Sequence, residues 1–322
     1  MSVEDANRKV ILGLSGGVDS TAAALILKER GYDVTGLYFN IHENDKSGEK
    51  KAAKVAEELG IDLIIKDVSQ RFNEIVVSDF IRDYADTAFS SMQNCHVIRV
   101  SANRKKDQSY MLYRLPANVI ERLILPLSDY DDKEHIRKIA REKSMSNSED
   151  KDSQEICFLN EGEDYTSFLK KHGVKSVEGD FIDKDSNVLG RHKGIINYTI
   201  GQRKGLGIAL GKPAFVTDID AENNTVTLGE NEDLFNRQVI CDNVFFTSTS
   251  SSRIPEFIMG KRLYGKIRYA AKPAECSVEE YKEGMIKVLF DEPQRAATGG
   301  QSLVLYMDDE VCGGGLITIE RK

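Results

Sequence analysis

The feature that most constrains this 322-residue chain is an apolar run that breaks into a glycine-bearing turn and resumes as a helix. VILGL predicts a strand, SGGVDS a turn, and TAAALILKERG a helix that ends at Gly31. The strand DVTGLYF, the helix EKKAAKVAEELG ending at Gly60, and the strand IDLIIKDVS follow. This alternation predicts an α/β fold with a doubly wound parallel sheet, whose ligands bind at the carboxyl ends of its strands.

The turn GLSGGVDS is suited to polyphosphate. Its glycines let backbone N–H groups approach phosphate, the following helix contributes the positive end of its dipole, and Asp19 can reach a phosphate-bound Mg²⁺. It lacks the lysine of a GxxxxGK[ST] loop. It resembles the loop of the ATP pyrophosphatases, which cleave ATP to AMP and pyrophosphate while adenylating a substrate oxygen. The predicted ATP-binding residues of the turn are Gly13, Leu14, Ser15, Gly16, Gly17, Val18, Asp19 and Ser20.

The sequence pattern changes beyond about residue 175. Short β-type runs, FVTDID, TVTLGE, GMIKVLF and SLVLYM, are separated by turn residues such as AENN, DEP, TGG and GGG. This pattern predicts hairpins that close into a sandwich or a barrel.

Cysteine usage and hydropathy indicate a compartment. The five cysteines, at 95, 157, 241, 276 and 312, are odd in number and form no CxxC pair, which argues against a disulfide framework or a zinc site. No segment reaches 18 consecutive apolar residues, and the start MSVEDANRK is charged from its fourth residue. We therefore expect no membrane span and a cytoplasmic protein.

The net charge of −8 argues against a protein that binds nucleic acid through overall basicity. Two windows depart from this average. Residues 190–217 and 257–274 each contain five lysines or arginines and no acid. We interpret them as phosphate-binding strips; two solvated strand faces are the alternative.

Six further stretches together resemble the tRNA-specific 2-thiouridylases, and with the turn they run in order over nearly the whole chain. They are KDQSYML, DSQEICFL, HKGIINYTIGQRKGLGI, KIRYAAKPAEC, FDEPQRAATGGQSLVLY and CGGG. The resemblance implies ATP-dependent replacement of the carbon-2 oxygen of a wobble uridine by sulfur. It also implies tRNA and a persulfide sulfur donor protein as partners, and ATP with Mg²⁺ as cofactors.

The same resemblance implies three domains: an ATP pyrophosphatase-type domain over 1–157, a small central domain over 158–225 and a C-terminal β-barrel over 226–322. It places Phe39 against the adenine and Cys95 at a nucleotide-contacting turn. The residues that it places on tRNA are His96, Lys106, Asp107, Gln108, Arg268, Tyr269 and Gln301.

Cys157 matches the family cysteine that carries sulfur as a persulfide, which attacks carbon 2 once adenylation has made the oxygen a leaving group. From the residues alone, a buried structural cysteine is the alternative. Seven acids in residues 147–164 oppose a thiolate. The fold would have to supply a helix N-terminus or a cation such as Arg203 or Lys204.

The resemblance fails between Tyr84 and His96. The family has an Asn-Pro-x-x-x-Cys-Asn segment there, whose cysteine closes a disulfide onto the persulfide cysteine, but no proline precedes Pro116 in this sequence. Asn94, Cys95 and His96 stand where the family has Thr-Gly-His. Cys95 either replaces the lost cysteine or merely occupies a shortened loop. A smaller departure is Gly299-Gly300 before Gln301, where the family prefers Pro-Gly.

The shortened interval leaves three explanations open. The protein is active with an external reductant, it is a degenerate homologue that binds ATP and tRNA without thiolation, or a mobile loop has been edited out of the sequence. The leading hypothesis is an ATP-dependent tRNA sulfurtransferase. A binding protein without turnover is the second. An ammonia-using ATP pyrophosphatase is a third, although it leaves the barrel stretches unexplained.

Overall fold

A computed structural model describes most of the chain in two compact units. The described residues are 9–41, 46–72, 97–104, 107–130, 132–150, 165–246 and 254–318. The first unit contains the described residues 9–72, 101–107 and 123–150. The second contains the described residues 97–100, 108–122 and 165–318.

The first unit is built on a three-stranded parallel sheet in the order β1-β2-β3. Its elements are β1 (Lys9–Gly13), α1 (Val18–Glu29), β2 (Asp33–Asn40), α2 (Ser47–Leu59) and β3 (Leu63–Asp67), followed by a helical turn over Ser69–Phe72. The predicted parallel sheet is confirmed. Gly31 and Gly60 follow the two helices with positive φ of 84° and 61°, which is why a glycine ends each helix.

A third helix, α3 (Lys133–Glu142), packs against α1. The Asp132 carboxylate accepts a hydrogen bond from the Glu134 N–H at 3.1 Å and so caps the helix. Ala140 from α3 and Met145 just beyond it are buried in one core with Leu14 and Val18. The segment after residue 132 is therefore part of the wall around the turn that joins β1 to α1.

The central part of the second unit is a four-stranded sheet in the order β5-β4-β7-β6. It follows α4 (Tyr165–Lys171) and consists of β4 (Gly179–Ile182), β5 (Val188–His192), β6 (Phe215–Asp220) and β7 (Thr225–Gly229). Both hairpins are antiparallel, and β4 pairs with β7 in parallel. Phe181, Val216 and Val226 are fully buried at its centre.

The C-terminal part is a closed six-stranded barrel in the order β10-β11-β8-β13-β12-β9. Its elements are β8 (Phe235–Phe246), α5 (Ile254–Ile258), β9 (Leu263–Lys266), β10 (Ala274–Lys282), β11 (Met285–Arg295), β12 (Ser302–Met307) and β13 (Glu310–Thr318). The CGGG stretch lies in β13. A Cβ on Gly314 would stand 2.1 Å from the Leu303 carbonyl oxygen, so the glycine permits a close approach of backbones.

Residues 108–122 pack on this barrel. Tyr110, Tyr113 and Ile120 share a core with Val304 and Tyr306. The Tyr110 hydroxyl donates to the Ser302 carbonyl at 2.7 Å. The predicted hairpins therefore close into a barrel and not a sandwich. Residues 108–122, which are distant in sequence, pack on this barrel.

None of the helices in the described ranges is both long and apolar enough to cross a bilayer. The boundaries predicted at residues 157 and 225 stay a prediction.

Candidate functional site

The turn between β1 and α1 is shaped by contact with α2. Gly16 has a positive φ of 79°, and a Cβ there would lie 2.7 Å from the Lys51 carbonyl carbon and 2.8 Å from the Ala52 nitrogen. Both atoms are backbone, so neither can rotate away. A glycine is therefore required at this position by conformation and by space.

Hydroxyl groups fix the rest of the turn. The side chains of Ser20 and Thr21 both donate to the Gly17 carbonyl, at 2.9 and 3.0 Å. The Ser15 hydroxyl lies 3.3 Å from that of Ser20. No side chain caps α1 in the described part of the chain. The N–H groups of its first turn, which have no intrahelical acceptor, are therefore left for a ligand.

Asn147 is a structural partner of the turn that the sequence reasoning missed. Its amide nitrogen donates to the Gly16 carbonyl at 2.7 Å and to the Thr21 hydroxyl at 2.8 Å. The residue is only 5% exposed, and its buried Oδ1 has no hydrogen-bond partner among the residues that the structure describes. Holding the Gly16 carbonyl in this way fixes the peptide plane that precedes Gly17. No sequence signal indicates a partner 131 positions away.

Lys133 was also missed. Its ammonium donates to Oδ1 of Asp19, the predicted Mg²⁺ ligand, at 2.5 Å. The pair joins the first turn of α3 to the first turn of α1. We call residues 13–20 the phosphate-type turn, after the ligand predicted for it. The Lys133 ammonium therefore places a cation beside this turn, although the turn itself contains none.

Phe39 lies near the carboxyl end of β2, at the sheet edge where β1 leads into the turn. Its side chain is 49% exposed. It lines an open cleft of about 990 Å³ together with Lys66 and residues 67–71. Such an exposed aromatic ring is available for stacking, as predicted for an adenine, and this role stays a prediction.

Several residues predicted to contact tRNA meet at one end of the barrel. Val304 pairs with Lys266 in the antiparallel register, which places the start of β12 beside the end of β9. Tyr269 and Gln301, just beyond those strand ends, therefore lie at the same end, which we call the barrel rim. Gln108 precedes the segment that Tyr110 anchors to Ser302 on this rim.

An aromatic and cationic cluster supports the rim. The Lys266 ammonium lies 5.6 Å from the centroid of the Tyr110 ring and 5.8 Å from that of Tyr269. Lys266 is only 8% exposed, whereas Tyr269 is 42% exposed and meets Tyr110 edge-on at 6.2 Å. Burial of the Tyr110 hydroxyl raises its pKa, so it remains a neutral donor. The cluster therefore leaves the Tyr269 ring exposed to solvent while Lys266 and Tyr110 contact it from the buried side.

Arg268 makes internal contacts. One guanidinium nitrogen donates to the carbonyls of Arg295 and Ala296, at 2.5 and 2.9 Å. Arg295 in turn reaches the Gly201 carbonyl at 3.4 Å and lies over the Phe215 ring at 5.7 Å. Arg268 therefore takes part in a connection from the barrel to the GQRKGLGI stretch, which lies between β5 and β6. Its predicted contact with tRNA stays a prediction.

Gln301 is exposed after a tight turn. Its N–H donates to the Thr298 carbonyl at 3.2 Å, and Gly300 takes a positive φ of 79°. The Gly-Gly sequence is therefore compatible with the turn that presents Gln301.

Asp107 is buried, and its carboxylate accepts from the Ser101 N–H at 3.1 Å, which shapes the turn before Gln108. Its predicted tRNA contact also stays a prediction. Cys95, His96, Lys106 and Cys157 lie outside the described residues.

In the folded protein, carboxylates from outside the two acid-free strips, residues 190–217 and 257–274, lie next to them. Arg191 pairs with Asp180 at 2.7 Å, and Lys212 pairs with Glu230 at 2.8 Å. Arg262 pairs with Glu275 on the neighbouring strand. The strips therefore carry less unbalanced positive charge than the sequence count indicates, because a linear window does not include residues on adjacent strands.

The cysteines within the described ranges are unsuited to nucleophilic chemistry. Cys241, Cys276 and Cys312 are all buried in the barrel. Burial raises the pKa of the Cys276 and Cys312 thiols to about 12 and also raises that of Cys241. These thiols remain protonated at neutral pH.

Three protein-family profiles match the chain. The tRNA methyl transferase HUP domain matches residues 8–89 and 87–161. The tRNA methyl transferase PRC-barrel domain matches 166–230, and the Aminomethyltransferase beta-barrel domain matches 255–317.

Curated relatives match nearly end to end. A tRNA-specific 2-thiouridylase from Clostridioides difficile is 38% identical over 361 aligned positions, covering 97% of this chain and 98% of the relative. The chain belongs to the tRNA-specific 2-thiouridylase family. Family members from Clostridium botulinum (strain Langeland) and Clostridium tetani are each 38% identical, covering 96% and 98% of this chain and 98% of each relative.

Among solved structures, an NMN synthetase from Francisella tularensis aligns with 24% of this chain and 32% of its own length, at 28% identity and a TM-score of 0.21.

The alignment with the Clostridioides difficile relative bears on the shortened interval. It runs over 361 positions, 39 more than this chain has residues, so at least 39 positions have no counterpart here. The HUP domain profile matches in two pieces that meet at residues 87–89. That junction falls between Tyr84 and His96, where the family's second catalytic cysteine is expected.

We predict that Gly16→Ala lowers the free energy of unfolding by about 3 kcal/mol, because the new Cβ adds a backbone clash to an unfavourable φ. Gly60→Ala is the matched control, since Gly60 also has a positive φ but has no atom within 4 Å of a built Cβ. It should cost about 1 to 2 kcal/mol. Urea unfolding measures both. Equal losses would contradict a contact between the turn and α2.

Proposed function

We propose that this chain catalyses ATP-dependent 2-thiolation of a wobble uridine in tRNA. The observation that carries the proposal is that the chain has both a phosphate-type turn and a barrel rim. Several of the stretches that resemble the 2-thiouridylase family meet at this rim. The near end-to-end likeness to proteins named tRNA-specific 2-thiouridylases supports it. Two profile names refer to methyl transfer. Methyl transfer has no need for a nucleoside triphosphate, so the turn favours thiolation.

The residues around the turn fit a nucleotide. Gly16 allows the turn to pack against α2, Asn147 fixes the Gly16 peptide, and the first N–H groups of α1 can donate to phosphate oxygens. Asp19 would hold Mg²⁺, and Phe39 would stack on the adenine. Bound ATP supplies an AMP group that makes the uridine oxygen a leaving group.

Cys157 would supply the sulfur. Three of the five cysteines are buried in the barrel with raised pKa values, so only Cys157 and Cys95 are left as candidates. In our proposal a persulfide on Cys157, charged by a sulfur donor protein, bonds through its terminal sulfur to carbon 2 of the uridine as AMP leaves. The transferred sulfur is then still bonded to Cys157 Sγ.

Breaking that remaining S–S bond needs a second thiol. In the family a second cysteine does this, but its segment has no counterpart in this sequence. We propose that an external thiol attacks Cys157 Sγ, which releases the thiolated uridine and leaves a mixed disulfide on the protein.

The barrel rim would hold the tRNA. Tyr269 offers an exposed ring for a base, and Gln108 and Gln301 offer amides for base or sugar edges. Exposed cations of the strips, such as Arg203, Lys204 and Lys272, would neutralise phosphates. A cytoplasmic location fits a tRNA substrate and stays a prediction.

We predict that Cys157→Ala abolishes 2-thiouridine formation in vitro, because the three cysteines within the described residues are buried in the barrel with raised pKa values, while tRNA-dependent pyrophosphate release continues. Mass spectrometry of digested tRNA measures the product. Cys95→Ala is the control and should thiolate normally with an external thiol present. If the single variant Cys95→Ala instead lost thiolation, Cys95 would have the role of the missing cysteine.

We predict that Tyr269→Ala weakens tRNA binding about tenfold, since one stacked base contributes about 1–3 kcal/mol. Because Tyr269 is 42% exposed, its loss should barely alter the thermal unfolding temperature. Tyr269→Phe keeps the ring and should bind normally. Filter binding over a salt series measures the affinity. An unchanged Kd for Tyr269→Ala would remove Tyr269 from the tRNA contact.

A tRNA-binding protein without turnover is the second candidate, favoured by the at least 39 unmatched family positions. It predicts salt-sensitive tRNA binding without AMP or pyrophosphate release. Incubation with labelled ATP, Mg²⁺ and unmodified tRNA discriminates the two. We expect pyrophosphate release that depends on tRNA, and a complete absence of pyrophosphate release would favour the second candidate.

A further inference from the structure

The residues of the phosphate-type turn do not provide the positive charge that would balance a bound nucleoside triphosphate. Gly13–Ser20 contains no cation and one acid, Asp19, whereas a nucleoside triphosphate carries several negative charges. Backbone N–H groups and a helix dipole provide only partial charges. Phosphate-binding turns of the GxxxxGK[ST] type include a lysine for this reason.

The structure supplies a lysine from elsewhere in the chain. The Lys133 ammonium lies 2.5 Å from Oδ1 of Asp19, in the first turn of α1. Lys51 also adjoins the turn, but it contacts the position of Gly16 through backbone and Cβ. We propose that Lys133 binds the phosphates of the nucleotide and that Asp19, which would also hold Mg²⁺, positions the Lys133 ammonium beside the turn. This inference rests on the proposed ATP dependence.

The position of Lys133 is well defined. Asp132 caps α3 immediately before it, Ala140 packs into the core shared with α1, and Asn147 ties the chain after α3 to Gly16. These contacts fix the start of α3 next to the turn. A lysine side chain is long enough to move its ammonium from a carboxylate to an adjacent phosphate without movement of the helix.

A purely structural ion pair is the competing explanation. Asp19 is 56% exposed, and exposed ion pairs contribute little to stability. The other pairs of α3, such as Lys138 with Glu142 and Arg141 with Glu149, connect α3 to itself or to the chain just after it. Among the ion pairs of α3 with residues that the structure describes, the Lys133 pair reaches α1 at the end where phosphate would bind.

The test compares Lys133→Gln with Lys138→Gln in the full-length protein. Lys138 is the matched control because it lies on the same helix and is also in an ion pair. Calorimetric titration with Mg²⁺-ATP should show at least tenfold weaker binding for Lys133→Gln and no change for Lys138→Gln. Adenosine, which has no phosphate, should bind both variants and the wild type equally. Lys133→Arg, which keeps the charge, should bind ATP within about threefold of wild type.

A second titration separates binding from a structural role. Without Mg²⁺, Asp19→Asn releases Lys133 for phosphate and should tighten ATP binding. This gain should be larger with Lys133 present than with Gln at that position, which a double-mutant cycle measures.

Equal ATP affinity of wild type and Lys133→Gln would overturn the inference alone. Wild-type protein that binds no ATP would overturn the proposed function, and the inference with it. An equal loss of adenosine and ATP binding in Lys133→Gln would show a structural role and also overturn the inference.

Discussion

The amide of Asn147 makes the contact on which the organisation of the first unit's site depends. It donates to the Gly16 carbonyl and the Thr21 hydroxyl, and so joins the chain after α3 to both sides of the phosphate-type turn. Because this amide is buried, the loss of its partners would leave unsatisfied polar groups in the core. The contact also keeps α3, and therefore Lys133, beside α1. A turn with no cation of its own is thereby placed next to one.

Hydrogen bonds to backbone carbonyls organise the second unit in a similar way. Tyr110 binds the Ser302 carbonyl, Arg268 binds those of Arg295 and Ala296, and Arg295 reaches that of Gly201. Each bond joins stretches that are far apart in sequence but resemble the same family. The Tyr110 and Arg268 bonds hold stretches at the barrel together, and the Arg295 bond joins the barrel to the GQRKGLGI stretch. Residues such as Arg268 thus contribute through position as well as through charge.

The cysteines divide by environment. Three are desolvated in the barrel core, where the neutral thiol is favoured, which leaves sulfur chemistry to the N-terminal half of the chain. In our proposal, the shortened interval before His96 lacks the family's second cysteine. Sulfur transfer is chemically complete without it only if another thiol cleaves the last S–S bond. The proposed reaction therefore requires a small-molecule or protein thiol that the family's usual arrangement carries within the chain.

The sequence by itself determined the parallel sheet, the phosphate-type turn, the C-terminal strands and the family. These rest on local periodicity, on glycine positions and on stretches long enough to be specific. Only the tertiary structure identified Lys133 and Asn147 as partners of the turn, and it showed that Arg191, Lys212 and Arg262 are paired with carboxylates. The physical reason is that such contacts join residues on different helices or strands. Hydrogen bonds and ion pairs depend on distance in space, which no linear spacing of residues encodes.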